Sequence, residues 1–258
     1  VIHGNVESGV NIRATGSITI DGVAEACMLE AGKDIILRGG MLGGNKASVK
    51  TKGAITAKFF EFTNILCEGD LQAGVLMDCS VICHGQIRLT GRKGSIIGGK
   101  VQAIRGLIAT SLGNDAEKRT EIFVGTGIDV YSRLRVMEKK IETTREELAK
   151  IEEGLEKFEI LSKERGVSYT NDPRRTSLLR IKIKDSAMLA SDEEEVRKLR
   201  ILAESSKGAC VSVIQEIYPG VIINMDELKL ALKNMATGVE FYKLPDKIGT
   251  RPCSAGVE

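Results

Sequence analysis

The sequence has no tryptophan, four prolines, two histidines and an aromatic content of only 4% over 258 residues. So few large rings argue against one deep aromatic core. With His3 and His84 as the only histidines, there is little material for imidazole-based catalysis or a histidine-rich metal site. No apolar run approaches the roughly 18 residues that a membrane-crossing helix needs, so no span is expected. The formal net charge of +2 gives no general electrostatic case for nucleic acid or an anionic membrane as partner. Six cysteines spread over a chain of this size suit reduced thiols and a cytoplasmic protein, not a disulfide scaffold. The opening VIHGNV carries neither Met nor a signal peptide and predicts a piece of a longer protein.

Glycine, by contrast, is abundant at 28 residues, and it recurs in register. The stretches ATGSITI, TKGAITA, CEGDLQA and CHGQIRL align on Gly16, Gly53, Gly69 and Gly85, with Gly32 a looser member. Gly16 to Gly32, Gly53 to Gly69 and Gly69 to Gly85 are each sixteen residues, and the long step between Gly32 and Gly53 holds GGMLGGNK. Ile12, Met28, Val49, Ile65 and Val81 precede the glycines by four, while Ile18, Ile55, Leu71 and Ile87 follow by two. Alternation within each run predicts short strands with one buried face. A constant period predicts that these strands stack coil upon coil, so the fold class is mainly β, a parallel β-helix. An ordinary antiparallel sandwich is the competing reading, but it has no need of a fixed period.

The run CEGDLQAGVLMDCSVICHGQI (residues 67–87) then resembles a metal site only superficially. Cys67 and Cys83 hold the same place before their glycines, in the column of Ala14 and Thr51, and so are expected to stack inward as small hydrophobes. Cys79 and His84 fall in other columns, and a stacked ladder cannot wrap an ion as a C-x2-C loop does. No metal ligand, cofactor-binding residue or catalytic residue is assigned.

After about residue 130 glycine nearly vanishes and charge rises. Leu134, Met137, Ile141, Thr144, Leu148, Ile151, Leu155, Phe158 and Leu161 recur at steps of three and four, the seam of a coiled coil. Gly166 and Pro173 interrupt the helical pattern, and a second segment over about 176–207 predicts an antiparallel hairpin. Ser191, with Glu194 three residues on, reads as an N-cap or a kink inside that segment. From Cys210 the β pattern returns as CVSVIQEIYPGVIINM, while DELKLALKNM fits either a strand or a short helix. The expected organisation is β-helix over 1–130, coiled-coil hairpin over 131–207, and a β segment over 208–258 that rejoins the first domain.

The stretch IIGGKVQAIRGLIATSLGNDAEKRTEIFVGTG (residues 96–127) resembles the most distinctive segment of the flagellar assembly protein A family. The resemblance rests on Gly98-Gly99, Ala103, Ile108, Leu112-Gly113, Thr120, Ile122 and Val124-Gly125, and on YPGVII after the heptads. It implies a right-handed β-helix with a projecting coiled coil, in a cytoplasmic bacterial protein of flagellar assembly or placement. The family it points to has no established enzyme activity, and its full-length members carry an additional N-terminal region.

Function is accordingly expected to be that of a non-enzymatic scaffold whose hairpin engages a protein partner, with self-association through the same seams as a second use. Arg174 and Arg175, near the hairpin tip, are the candidate partner-binding residues, since guanidinium groups make bidentate contacts to acidic partners. The alternative is a β-helix enzyme such as an acyltransferase. Those enzymes repeat in hexads, into which sixteen does not divide, and neither His3 nor His84 has a recognisable orienting carboxylate in the sequence. Nucleic-acid binding is disfavoured by mixed arm charge without interleaved aromatics. GGMLGG and IIGGK lack the G-x4-G-K-[ST] spacing and read as turns or bulges between coils.

Overall fold

A computed structural model of the chain describes residues 1–89, 91, 94–166 and 168–253. Two compact units emerge: one formed by Val1–Ile128 with Glu204–Glu258, the other by Asp129–Ala203.

The first unit is a β-solenoid with three strand faces. On one face Asn11–Ala14, Met28–Ala31, the ends of Met41–Thr51 and Ile55–Cys67, Ser80–Cys83, Gly99–Ala103, Thr120–Val124 and Val221–Met225 pair in parallel, each with the next. Its inward column runs Ile12, Leu29, Val49, Ile65, Val81, Val101, Ile122, Ile223. A second face stacks Ile18, Ile35, Ile55, Leu71, Ile87, Leu107 and Val211. A third stacks Ala24, Met41, Phe60, Leu76, Ile96, Leu112 and Ile217. Past the first coil these columns are almost wholly excluded from solvent and form one continuous core. Each coil therefore buries its apolar edge on its neighbours, which explains how a chain poor in aromatics builds a core.

The register corrects one expectation. Ile12 pairs with Leu29, so the apolar column passes through Leu29, and Met28 points outward, 54% exposed. Gly32 stands one residue ahead of the glycine column, whose place in that coil Lys33 takes: the Lys33 amide donates to Gly16 O, as Gly69 does to Gly53 O and Gly85 to Gly69 O. The first step is thus seventeen residues, from Ile12 to Leu29, and not sixteen. Within GGMLGGNK the first two glycines precede the strand Met41–Thr51, and the rest holds a bulge where the register shifts between Leu42 and Ala47 around the left-handed Gly44 and Asn45.

Gly98 and Gly99 both adopt positive φ, +73° and +76°, where the chain turns between Ser95–Ile97 and Gly99–Ala103. A Cβ on Gly99 would lie 2.2 Å from Cys79 O of the coil before it. Only glycine combines that conformation with that approach.

The solenoid ends in antiparallel strands. Cys210–Ile217 pairs antiparallel with Ala236–Lys243, which pairs with Ile248–Pro252, and Leu228–Ala231 folds back on Val221–Met225. The ambiguous LKLA segment is therefore a strand.

The second unit holds most of two helices, α1 (Gly127–Arg165) and α2 (Pro173–Ser205). Asp172 caps α2: its Oδ1 accepts from the Arg174 amide at 2.7 Å, and Pro173 occupies the first helical position, where a missing N–H costs nothing. α2 runs unbroken through Ser191, which is therefore not an N-cap. Ion pairs cross from Arg133 to Glu195, Arg145 to Glu193 and Glu152 to Lys182. The partner number falls as the first rises, as two helices running in opposite directions require. Along the seam Ile141 and Thr144 of α1 and Asp192, Val196 and Leu199 of α2 are buried.

Candidate interaction surface

The cysteines of residues 67–87 form a ladder in the solenoid core. Cys67 pairs with Thr51 on one side and Cys83 on the other, and both sulfurs are fully buried. Cys67 Sγ donates to Gly53 O at 3.3 Å and Cys83 Sγ to Gly69 O at 3.2 Å. A hydrogen bond to Cys67 and burial together push the Cys83 thiol above its ordinary range. Cys79 lies in a different column, bonded to Met77 O at 3.3 Å, and burial pushes its thiol up to about 11. Cys83 and Cys79 are therefore protonated at neutral pH and poor ligands or nucleophiles, whereas the hydrogen bond with Cys83 draws the Cys67 thiol down, and burial is what closes it to reagents. Among the described residues no group of three His, Cys, Asp or Glu is placed to hold a metal ion.

His3 does have a carboxylate partner that the sequence did not reveal. Its Nδ1 lies 2.7 Å from Asp21 Oδ2, eighteen positions away, because the first coil brings the two bends together. Asp21 also pairs with Arg38. The His3 side chain is 82% exposed, so the pair lacks the water-excluded setting that acid–base catalysis exploits. A buried carboxylate, Glu240, accepts from Ser212 Oγ at 2.9 Å and from Arg251 Nε at 2.6 Å, so its charge is fully engaged.

At the hairpin tip Arg174 and Arg175 part company. Arg174 is exposed, whereas Arg175 is half-buried and lines a hollow of about 270 Å³ whose other walls include Phe158, Glu159, Lys163 and Tyr169. The Phe158 and Tyr169 rings, 6.2 Å apart and tilted by 57°, form one wall of it. Heptad spacing identified Phe158 as a seam residue, but Tyr169 lies in the loop, where no period points to it.

The sequence model described as "FapA: Flagellar Assembly Protein A beta solenoid domain" matches residues 1–248. The chain belongs to the flagellar assembly protein A family. Its match spans both the solenoid coils and the inserted hairpin, so the helices lie inside the family's domain and are no appendage to it. No curated protein and no solved structure matches the chain. Among the described residues no helix of this FapA domain is long and apolar enough to cross a membrane.

Proposed function

We propose that the chain is a non-enzymatic, cytoplasmic scaffold of flagellar assembly, with the solenoid as a rigid platform and the hairpin as the element that engages a protein partner. One observation carries this reading: the solenoid is continuous across the insertion. Leu107–Leu112 stacks on Cys210–Ile217, and Thr120–Val124 on Val221–Met225, so the coils before and after the helices pair directly. The platform needs no residue of the hairpin to complete its stacking. Two helices of 39 and 33 residues are then a large investment with no role in the solenoid's own sheet. Coupled to the family's place in flagellar assembly, this supports an arm that binds another protein. Arg174, free in solvent, and Arg175, set beside Phe158 and Tyr169, are its proposed tip contacts.

The test is quantitative capture from host lysate by the intact chain and by one whose residues 133–207 are replaced with a short Gly-Ser linker, after circular dichroism shows the β signal intact. Loss of specific partners with the hairpin supports the reading; retention of every partner overturns it.

A further inference from the structure

Ion pairs mark the two flanks of the hairpin seam. Arg133–Glu195 lies on one, Glu138–Arg200 and Arg145–Glu193 on the other. Steps of seven along each helix extend a flank toward the tip. From Arg133–Glu195 the first flank continues as Lys140, Glu147 and Gly154 on α1 and as Met188, Ile181 and Arg174 on α2. Two apolar side chains thus stand where charged partners would be, and they are 39% (Met188) and 43% (Ile181) exposed. With no charge at 188, Lys140 turns to the buried Asp192, 2.7 Å away. Gly154 offers no side chain at all, and the Leu178 methyl comes within 3.3 Å of where its Cβ would be.

α2 therefore carries apolar residues at the seam and along one flank, the pattern of a helix that faces more than one neighbour. The charge around this strip has one dominant sign. Lys150, Lys157 and Lys184 each follow a flank residue by three positions, so they border the same row. With Arg174 they are exposed and have no ion-pair partner among the described residues; the row's two carboxylates are Glu147 and Glu195, and Arg133 holds the second. Two copies of so basic a strip would repel each other. Aliphatic residues without aromatics do not suit nucleic acid.

We propose that this flank is the docking site for an acidic amphipathic helix of a protein partner, which would complete a three-helix bundle with α1 and α2. The inference rests on the reading of the hairpin as an interaction arm. Apolar residues of the incoming helix would cover Ile181 and Met188, seated beside Gly154, and its carboxylates would meet Arg174 and the three lysines.

The experiment is a fluorescence-anisotropy titration of the whole chain against a labelled four-heptad peptide with Leu at the seam positions and Glu at both flanks. Saturable binding is expected, weakened by raised salt. The double variant Ile181→Glu/Met188→Glu should bind about tenfold or more weakly. Ile183→Glu, 71% exposed and off the strip, should bind as the unchanged chain does. Four results would overturn the assignment: no binding, equal binding of the same peptide with Lys for Glu, equal loss with Ile183→Glu, or sedimentation showing that Ile181 and Met188 drive self-association. A chain whose lysate partners vanish with the hairpin but which fails this titration keeps its interaction arm and loses only the acidic-helix partner.

Discussion

Cys67 and Cys83 stand in register on consecutive coils, and each thiol donates to the bend carbonyl of the coil before its own. Thr51, one coil earlier, does the same with its hydroxyl to Lys33 O. The column is a polar ladder within an apolar core: the two thiols add a second donor to Gly53 O and Gly69 O, which already accept the Gly69 and Gly85 amides. Native alkylation at pH 8 should therefore label the half-buried Cys210 and Cys253 and spare Cys27, Cys67, Cys79 and Cys83 until denaturant is added. Mass spectrometry of peptides would read the order; early labelling of Cys67 or Cys83 would contradict a closed core.

Cys79 adds a pH signature. Its folded-state thiol titrates at about 11 against an ordinary 9.0, so burial favours the neutral form. That contribution is fully present below pH 9 and is lost as pH rises toward 11, because the unfolded chain loses the proton first. A shift of this size is worth about 3 kcal/mol. Urea midpoints measured across pH 8–11 should fall less steeply in Cys79→Ala than in the unchanged chain; identical slopes would contradict the assignment.

How much of this was legible in the sequence follows from where periodicity survives. Val49, Ile65 and Val81 announce their column because the two coils between them are sixteen residues each. Around Met28 the pattern misleads, since Leu29 is as apolar as its neighbour and Gly32 imitates a column glycine one place early. Later coils of twenty and twenty-one residues hide Val101 and Ile122 from any search at a fixed period. The antiparallel closing strands repeat nothing, so the sequence shows them only as a returning β segment. In the hairpin the first seam is plain, whereas the second is masked by Lys182, Asp185 and Asp192 at seam positions. The same masking puts Ile181 and Met188 outside the seam, so the strip they form shows only once the ion pairs fix the flanks. His3 and Asp21 meet only through coil stacking, which the sequence cannot display.

Gly99 is predicted to be intolerant of substitution. Gly99→Ala combines a left-handed backbone with a Cβ 2.2 Å from Cys79 O, and the coil before it cannot shift without breaking core register. Gly44→Ala meets nothing within 4 Å and carries only the left-handed strain, about 1 kcal/mol. Urea unfolding should show Gly99→Ala costing more than about 3 kcal/mol or failing to fold. Equal costs at the two sites would refute the stacking argument.

Asp192 is a buried seam carboxylate held by Lys140. Lys140→Met leaves that charge without its partner and should destabilise the chain by about 1–2 kcal/mol, less than for a fully buried pair because Lys140 is half exposed. Adding Asp192→Leu should restore the loss or exceed it, at the expense of seam register. Thermal melts followed at the helical band would read both; additive losses in the double variant would show that the two residues do not act as a pair.

The most direct measurement counts flagella in host cells whose only copy of this protein carries the Gly-Ser replacement of residues 133–207, expressed at the native level. A folded solenoid with defective flagellar number or placement is the predicted result, since the platform would persist without the arm proposed to bind its partner. Normal flagellation by the hairpin-less solenoid would contradict the account.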